Sequence, residues 1–401
     1  MITPQGHLTY CSNIHAGESW KDHFLKLKEH VPAIKREVAP EKSFGIGLRL
    51  SAEASLELVK KENLDIFRQW LNENDCYVFT MNGFPYGGFH HTVVKDKVHA
   101  PDWTTAERTQ YTVRLAQILT ELLPDKMDGG ISTSPLTYRY WHNDEEIPKV
   151  FETTTLNLLQ VVDQLIQIKQ ATGKVIHIDI EPEPDGLLGD GKEFLEWYTN
   201  WLLPKGVAYL NKTYSISDQM AEDHIKEHIR LCYDVCHFAV SYESHLEMIT
   251  KLKELGIQTG KIQISAALKA DMDANLAKRA GVVEAFAKFN ESTYLHQVVA
   301  RTNAATLIRY KDMPEAIQDA YAPSVNEWRA HFHVPVFIHE YGTLHSTQND
   351  IKKVLKIQQD TPFTQHLEIE TYTWEVLPEE IRLPQTKSII REMKWVLEQL
   401  D

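Results

Sequence analysis

Short apolar runs and amphipathic stretches alternate along the whole chain. Residues 7–13 have a strand-like pattern, and Ser19-x-x-Asp22 then precedes apolar residues at spacings of three and four, which is typical of a capped helix. The same succession recurs, and the strand-like runs are residues 7–13, 44–50, 76–82, 130–134, 174–181, 231–236, 261–266 and 367–374. Strands separated by helices predict parallel βα units. Eight units with no GxGxxG after the first strand favour a closed barrel over an open sheet. We therefore predict an α/β protein in which residues 1–401 form a single (β/α)8 TIM-barrel domain.

One segment interrupts this alternation. Between the seventh and eighth predicted strands, residues 267–366 contain a helical stretch, two strand-like runs (295–301 and 305–310) and the sequence HFHVPVFIHEYG. Barrels vary chiefly in the loops that follow their strands, where their active sites lie. We therefore predict that residues 267–366 are an insertion on the catalytic face and not a separate domain.

The stretch KVIHIDIEPEP, residues 174–184, has an unusual strand pattern. Its isoleucines alternate with ionisable residues, as Ile176, His177, Ile178, Asp179, Ile180 and Glu181. A strand buried on both faces normally reads as a continuous apolar run, and burying three ionisable groups costs several kcal/mol unless a metal or partner charges compensate them. Pro182 has no N–H for the ladder, so the strand should end with Glu181 at its carboxyl tip. In α/β folds this is the end that carries chemistry.

The period-2 alternation of each strand predicts which polar side chains point inward near the strand ends. That set is Asn13, His15, Arg49, Asn82, Ser132, Ser134, Glu181, Asp234, Gln263, Ser265, Glu368 and Glu370. Three carboxylates converging there, those of Glu181, Asp234 and Glu370, would raise one another's pKa values unless a cation lay between them. Oxygen and imidazole ligands suit manganese, zinc, magnesium or iron, and the absence of a nearby thiol argues against a Cys-based zinc site. The pattern predicts a divalent metal centre.

Further candidate site residues are the pair His331 and His333, Arg49 and His237, and the first two of these have a second interpretation. His331 and His333 lie on one strand face at a spacing able to bind metal, but a backbone-bonded loop pair has the same sequence. Arg49 is able to clamp a substrate anion or to pair with an acid on a neighbouring strand. His237 follows Asp234 by three residues and has the opposite parity, so it must reach inward from the bend after the strand.

Composition narrows the classes of partner. The net charge is −14, with 42 Lys+Arg against 56 Asp+Glu, and no basic patch is evident, which argues against binding to nucleic acid. The N-terminus lacks a signal-peptide pattern and no apolar window reaches about 18 residues, so we expect a cytoplasmic protein without a membrane span. The four cysteines lie in apolar runs and are expected to be reduced, buried thiols.

The motifs IDIEPEP, YDVCH and ETYTW resemble those of the xylose isomerase-like TIM barrels, which include sugar isomerases, epimerases and the endonuclease IV branch. In that superfamily a Glu ends strand five, an Asp with a His three residues later ends strand six, a His ends strand seven and a Glu ends strand eight. The resemblance implies a divalent metal held by residues matching these positions: Glu181, Asp234, Gln263 and Glu370. Gln263 stands where His is usual, and we expect His333 or His331 to compensate.

The nuclease branch carries an Asp-x-His motif where this chain has His331-Phe332-His333. Its strand-end histidines are replaced here by Asn82 and by Ser132 or Ser134, so the resemblance does not imply an intact trinuclear nuclease site. More closely, NIHAGESW, NGFPYG, IDIEPEPDG, STYLHQVV, HFHVPVF and ETYTWEVLP resemble the EboE-type metabolite traffic proteins of bacteria. That family is linked to export of a secondary-metabolite precursor.

Residues and resemblance together predict a metal-dependent isomerase- or epimerase-like protein acting on a small sugar, polyol or related metabolite. Glu181 and Glu370 would exchange a proton through an enediolate. The expected substrate contacts are His237, Arg49, Asn82, His331 and His15. A non-catalytic metabolite carrier or assembly component is the alternative, and an endonuclease IV-like phosphodiesterase is a weaker one. One barrel supports many chemistries, so the fold does not choose among them.

Overall fold

The computed structural model describes residues 1–89, 93–374, 377, 379 and 382–400. The strands are β1 Ile2–Thr3, β2 Gly6–Tyr10, β3 Phe44–Arg49, β4 Cys76–Asn82, β5 Gly129–Thr133, β6 Ile176–Ile180, β7 Ile229–Asp234, β8 Thr259–Ile264, β9 Ala266–Asp271, β10 Val298–Thr302, β11 Leu307–Tyr310, β12 Val325–Val334, β13 Glu340–Tyr341, β14 Leu344–Ser346 and β15 His366–Ile369. The helices are α1 Trp20–Val38, α2 Ala52–Leu58, α3 Lys61–Glu73, α4 Ala106–Leu122, α5 Ile147–Thr172, α6 Gly191–Trp197, α7 Leu203–Tyr214, α8 Asp218–His228, α9 Val235–Val240, α10 His245–Leu255, α11 Leu276–Ala287, α12 Met313–Gln318, α13 Gln348–Asp360 and α14 Gln385–Leu400.

Eight parallel strands form a barrel. They follow the order β2-β15-β8-β7-β6-β5-β4-β3, and β1 adds to β2 as an antiparallel edge. The seam between β2 and β3 is closed by a parallel bridge between Cys11 and Gly47. Across that seam the Thr9 hydroxyl donates to the Gly45 carbonyl at 2.8 Å and accepts from the Gly47 N–H at 2.9 Å. The predicted (β/α)8 class is therefore confirmed.

The hydrophobic core lies between the barrel wall and the helices around it. Alternate residues of β6, namely Ile176, Ile178 and Ile180, are fully buried there. The side chains with the opposite parity point into the barrel, where they are polar. This division explains how one strand accommodates both an apolar core and a line of ionisable groups.

A second, antiparallel sheet follows β8. Its order is β11-β10-β12-β9-β14-β13, and β9 begins two residues after β8 ends. The register of β12 on β9 shifts between Ala330 and Val334, so the segment carrying His331 and His333 departs from regular pairing. This irregularity lies where β12 reaches the mouth of the barrel. The chain then enters α13, which packs beside α10 and α14.

Among the residues that the structure describes, no helix has the length and apolar character needed to cross a membrane.

Candidate metal centre

Three carboxylates meet at the carboxyl ends of the barrel strands. Asp234 is the last residue of β7. Glu181 directly follows β6, and Glu370 directly follows β15. The Glu181 N–H donates to Thr133 at 3.0 Å and the Glu370 N–H donates to Ile264 at 3.1 Å, so both backbones continue the ladder past the assigned strands. All three side chains are buried.

Amide side chains hold Glu370 in one orientation. Asn13 and Asn82 donate to its Oε1 at 2.8 and 2.9 Å, and the Gln263 side chain donates to its Oε2. The side-chain oxygen Oε1 of Gln263 in turn accepts a hydrogen bond from the Cys232 thiol. Gln263, which the resemblance puts at a ligand position, therefore has both ends of its amide engaged and orients Glu370.

Three histidines point their Nε2 atoms toward one another. The Nδ1 of His237 bonds to the Pro182 carbonyl at 3.0 Å and that of His333 to the Glu370 carbonyl at 2.9 Å. The Nδ1 of His331 bonds to Gln297 Oε1 at 2.9 Å. Carbonyl oxygens only accept hydrogen bonds, so each Nδ1 carries the proton and each Nε2 presents a lone pair. Metal-ligating histidines are held in this way.

The orientation of Gln297 supports that assignment. Its Nε2 donates to the Pro184 carbonyl at 3.1 Å, so its oxygen must face His331. Gln297 lies just before β10 and was not among the predicted site residues. Its position depends on the second sheet, whose path the sequence pattern did not predict.

One ring nitrogen from each of His237, His331 and His333 lies within 4.8 Å of the other two. The Nε2 atoms of His237 and His331 are 3.0 Å apart, and those of His237 and His333 are 3.8 and 3.9 Å from Asp234 Oδ2. Two nitrogens at this distance repel through their lone pairs unless a proton or a cation lies between or beside them. In the described part of the chain, Asp234 Oδ2 and His333 Nε2 are buried and lack hydrogen-bond partners. These donors fit a divalent ion such as zinc, manganese or iron.

Electrostatics in this region favour a bound cation. Burial raises the pKa of Glu181 well above its ordinary value, and Glu370 and Asp234 raise it further. Burial, Asp234 and Glu368 likewise raise the pKa of Glu370. Burial lowers the pKa of His331 and of His333, so both rings are neutral near pH 7. Neutral imidazoles and crowded carboxylates are the states that a metal stabilises.

A small cavity of about 60 Å³ opens onto this cluster. Its floor includes Glu181, Glu370, His237, His331 and His333, and its walls include Phe84, Phe89, Tyr294 and Tyr372. A few convergent polar groups beneath aromatic walls are typical of a small-molecule site. Lys95 also lines it, and its amine lies 2.7 Å from the Asp312 carboxylate.

The structure brings most of the predicted site residues together. Asp234 and Gln263 lie behind the cavity lining and contact the site from there, whereas the contacts described for His15 and Arg49 lie elsewhere. His15 bonds to the Tyr10 hydroxyl at 2.9 Å and to Gln385 at 3.0 Å. Arg49 is buried against Glu18, with 3.2 Å between Nη2 and Oε2. Arg49 therefore forms an ion pair, but its partner lies in the loop before α1 and not on a neighbouring strand as expected.

Glu183 is not among the site residues that the sequence predicts, although Glu181, the first Glu of the same Glu-Pro-Glu-Pro motif, is. It lines the cavity, and its Oε1 lies 2.9 Å from His99 Nε2. The second Glu of that motif was the available signal. His99 lies in the segment after β4. The alternation of residues along the strands does not predict where that segment runs.

Comparison with known proteins gives distant similarities. No protein-family model matches the chain. Curated 5-methyltetrahydropteroyltriglutamate–homocysteine methyltransferases from Paraburkholderia phytofirmans and Paraburkholderia xenovorans are 27% and 26% identical to it over 231 residues. That alignment covers 54% of this chain and 26% of each relative, so the chain spans about a quarter of their length.

Similar solved structures include the IOLI protein with a binding zinc atom, at 12% identity, a TM-score of 0.47 and 98% coverage of both chains. The probable 3-DHS dehydratase AsbF from Bacillus anthracis has 11% identity, a TM-score of 0.45 and 98% coverage of both chains. A xylose isomerase domain protein from Planctomyces limnophilus has 10% identity, a TM-score of 0.43 and 88% coverage of both chains. The chain's own closed parallel sheet defines its barrel class.

Proposed function

We propose that this chain is a divalent-metal-dependent isomerase- or epimerase-like enzyme acting on a small sugar, polyol or related metabolite. The observation that carries the proposal is the convergence of three Nε2 lone pairs and Asp234 Oδ2 at one end of the cavity. Glu181 lines the same cavity as the three histidines, and its Oε1 is 3.8 Å from the Nδ1 of His237, on the side of the ring away from the converging Nε2 atoms. A metal-binding group and a carboxylate able to exchange a proton therefore share one cavity.

The two glutamates have different surroundings and therefore different roles. A bound divalent ion would polarise a substrate carbonyl and its neighbouring hydroxyl. Glu181 Oε2 has no hydrogen-bond partner among the described residues, so it is free to take the proton from the carbon beside the carbonyl. Glu370 receives three amide hydrogen bonds and is the fixed carboxylate that faces the other end of the substrate. Return of that proton from Glu181 to the neighbouring carbon would isomerise the substrate. Epimerisation would instead need the Glu370 carboxyl to give its own proton to the opposite face of the same carbon, while Glu181 keeps the one it took.

The charge of the cavity favours an uncharged substrate. Glu181, Glu183 and Glu370 line it, and the amine of Lys95 is engaged by Asp312. A phosphorylated substrate or a phosphodiester would meet these carboxylates, and the described lining offers it no Lys or Arg that is not already paired. A neutral polyol or keto-sugar would instead hydrogen-bond to the acidic floor and pack against the aromatic walls.

The test is isotope exchange in heavy water. Metal-loaded protein is incubated with a panel of polyols, keto-sugars and sugar phosphates, and deuterium at carbon is measured by mass spectrometry. We expect label in at least one neutral compound and none in the phosphates. Methyl transfer to homocysteine, the activity named for the curated relatives, is assayed in parallel.

A metabolite carrier, which would agree with the resemblance to the EboE-type traffic proteins, is the second candidate. The observation that favours it is Gln263, whose amide occupies Glu370 at a position where the resemblance leads us to expect a histidine. A compound that binds tightly yet acquires no label would support the carrier over the enzyme.

The metal centre gives a separate prediction through Gln297. Gln297→Ala should weaken divalent-metal affinity by about 10- to 100-fold, because the His331 ring loses the acceptor that fixes its tautomer. Competition with a chromogenic chelator measures the affinity. Gln69→Ala is the matched control, since Gln69 is exposed and bonds only to Glu73 among the described contacts. Equal affinities for the two variants would contradict a metal centre that uses His331.

A further inference from the structure

A second group of metal-ligating side chains lies at the opposite end of the barrel. His177 is the second residue of β6, His366 is the first residue of β15, and Asp128 directly precedes β5. One ligand atom from each residue lies within 4.8 Å of the others. His177 precedes Glu181 by four residues, which corresponds to about 13 Å along an extended strand. The two groups are therefore separate.

The orientation of His177 leaves a lone pair facing Asp128. Its Nδ1 bonds to Asp179 Oδ1 at 2.6 Å, which fixes the proton on Nδ1. Its Nε2 is then 3.6 Å from Asp128 Oδ2. A nitrogen lone pair and a carboxylate oxygen repel at this distance unless a cation or a proton lies between them.

His366 approaches the same carboxylate from across the barrel. Its Nε2 is 3.2 Å from Asp128 Oδ1, and its ring stacks on that of His177 with 5.5 Å between centroids. Neither Nε2 has a hydrogen-bond partner within the described ranges, and both rings are at most 1% exposed. Leaving such groups buried and unpaired costs free energy that a ligand would recover.

We propose that Asp128, His177 and His366 bind a zinc ion at the N-terminal mouth of the barrel. Two imidazoles and a carboxylate are a common zinc ligand set, and bonds of about 2.0–2.1 Å at tetrahedral angles hold ligand atoms about 3.3–3.4 Å apart. His366 Nε2 is 3.2 Å from Asp128 Oδ1 and His177 Nε2 is 3.6 Å from Asp128 Oδ2, so each imidazole lies near that separation from one oxygen of the carboxylate. The Asp179 carboxylate behind His177 is the orienting partner that zinc-bound histidines typically have.

The barrel is shaped to accommodate this group. A Cβ on Gly130 of β5 or on Gly260 of β8 would overlap the Asp179 carboxylate, so these two glycines provide its space. The Arg230 guanidinium donates to Asp128 Oδ2 at 2.7 Å and leaves Oδ1 facing His366. The Asp128 side chain is 31% exposed in a surface depression, which gives an ion a path of entry and room for a water ligand.

The rival interpretation is an imidazolium, with a proton on His177 Nε2 shared with Asp128 and no metal. Zinc binding separates the two. His331→Ala/His333→Ala removes ligands of the other centre, so zinc kept by this double variant must be held elsewhere. The double variant is equilibrated with zinc buffered by a chelator, and zinc per chain is measured by elemental analysis.

We expect about one zinc per chain in the double variant, and anomalous scattering at the zinc edge between Asp128, His177 and His366 in its crystals. Adding Asp128→Asn should remove this zinc, because the amide loses the charge but keeps the shape. Circular dichroism confirms the fold of each variant, and the zinc-induced rise in melting temperature should vanish with the ion.

Two results would overturn the proposal: a double variant without zinc, or zinc that survives Asp128→Asn. The second would place the ion at a surface group such as His339, Glu340 and His345. His339→Ala in the double variant is therefore the matched control and should leave the zinc content unchanged. The proposed isomerase activity is independent of this outcome, since it is assayed with the intact protein.

Discussion

Glu181→Gln should slow deuterium exchange into the substrate by about 100- to 10,000-fold, the contribution expected of a general base. The amide keeps the shape of the side chain but cannot accept a proton. Glu181 is the candidate base because it lines the cavity and its buried Oε2 has no hydrogen-bond partner in the described part of the chain, whereas Glu370 is held by three amides. The rate of label appearing at carbon, measured with saturating metal, reports the effect.

The control for this prediction is Glu243→Gln. Glu243 is also a partly buried carboxylate, and burial raises its pKa to about 7, but it bonds to the Gly191 N–H and does not line the cavity. Its exchange rate should match that of the unmodified protein. Metal content is measured in both variants, so that loss of the ion is distinguished from loss of the base. Exchange by Glu181→Gln at the full rate, with metal bound, would remove Glu181 from the mechanism.

Strand parity predicted the centre of the site because the carboxyl ends of parallel strands meet in a barrel. Asp234, Glu181 and Glu370 follow from that rule alone, since each is the last inward-facing residue of its strand. For residues beyond the end of a strand, parity does not predict the direction in which the side chain points. His15 follows a turn at Ser12–Ile14 and points back toward Tyr10, which places it outside the cavity.

The remaining parts of the site come from segments without a repeating pattern. Arg49 faces Glu18 because the loop before α1 folds back over β3, and no local spacing encodes that path. The orientation of His331 depends on Gln297, which is close only because β12 pairs with β10. Sequence indicated two strand-like runs after β8, but the pairing of six strands depends on contacts between distant residues.

The row of ionisable side chains on β6 shows the same limit of what the sequence predicts. The pattern required that metal or partner charges compensate His177, Asp179 and Glu181, and the structure shows His177 paired with Asp179 and close to Asp128. Asp128 precedes β5 in the sequence and His366 opens β15, so their meeting depends on closure of the barrel. The need for compensating charges was predictable from the sequence of β6 alone, but the residues that lie next to His177 were not.

A buried ion pair lies beneath the three carboxylates. The Lys261 amine bonds to the Glu368 carboxylate, and both side chains are fully buried inside the barrel. Burial is the largest single effect and lowers the pKa of Lys261, but Glu368, Cys232 and Cys11 together raise it by more, so the amine remains protonated. The positive charge of Lys261 also lowers the pKa of Glu181 and of Glu370, against the larger effects that raise them. This pair therefore links the stability of the barrel interior to the charge of the site above it.

Lys261→Met should destabilise the protein by about 3–5 kcal/mol, because it leaves the Glu368 carboxylate buried without its counter-charge. Lys261→Met/Glu368→Gln should recover most of that loss, since the double variant buries no unpaired charge. Chemical denaturation followed by tryptophan fluorescence measures both changes. Lys61→Met is the control, because Lys61 is exposed in its pair with Asp65 and should change stability by less than about 1 kcal/mol. If the single variant were as stable as the double variant, Glu368 would have to be neutral in the folded barrel, and Lys261 would not be needed to hold its charge.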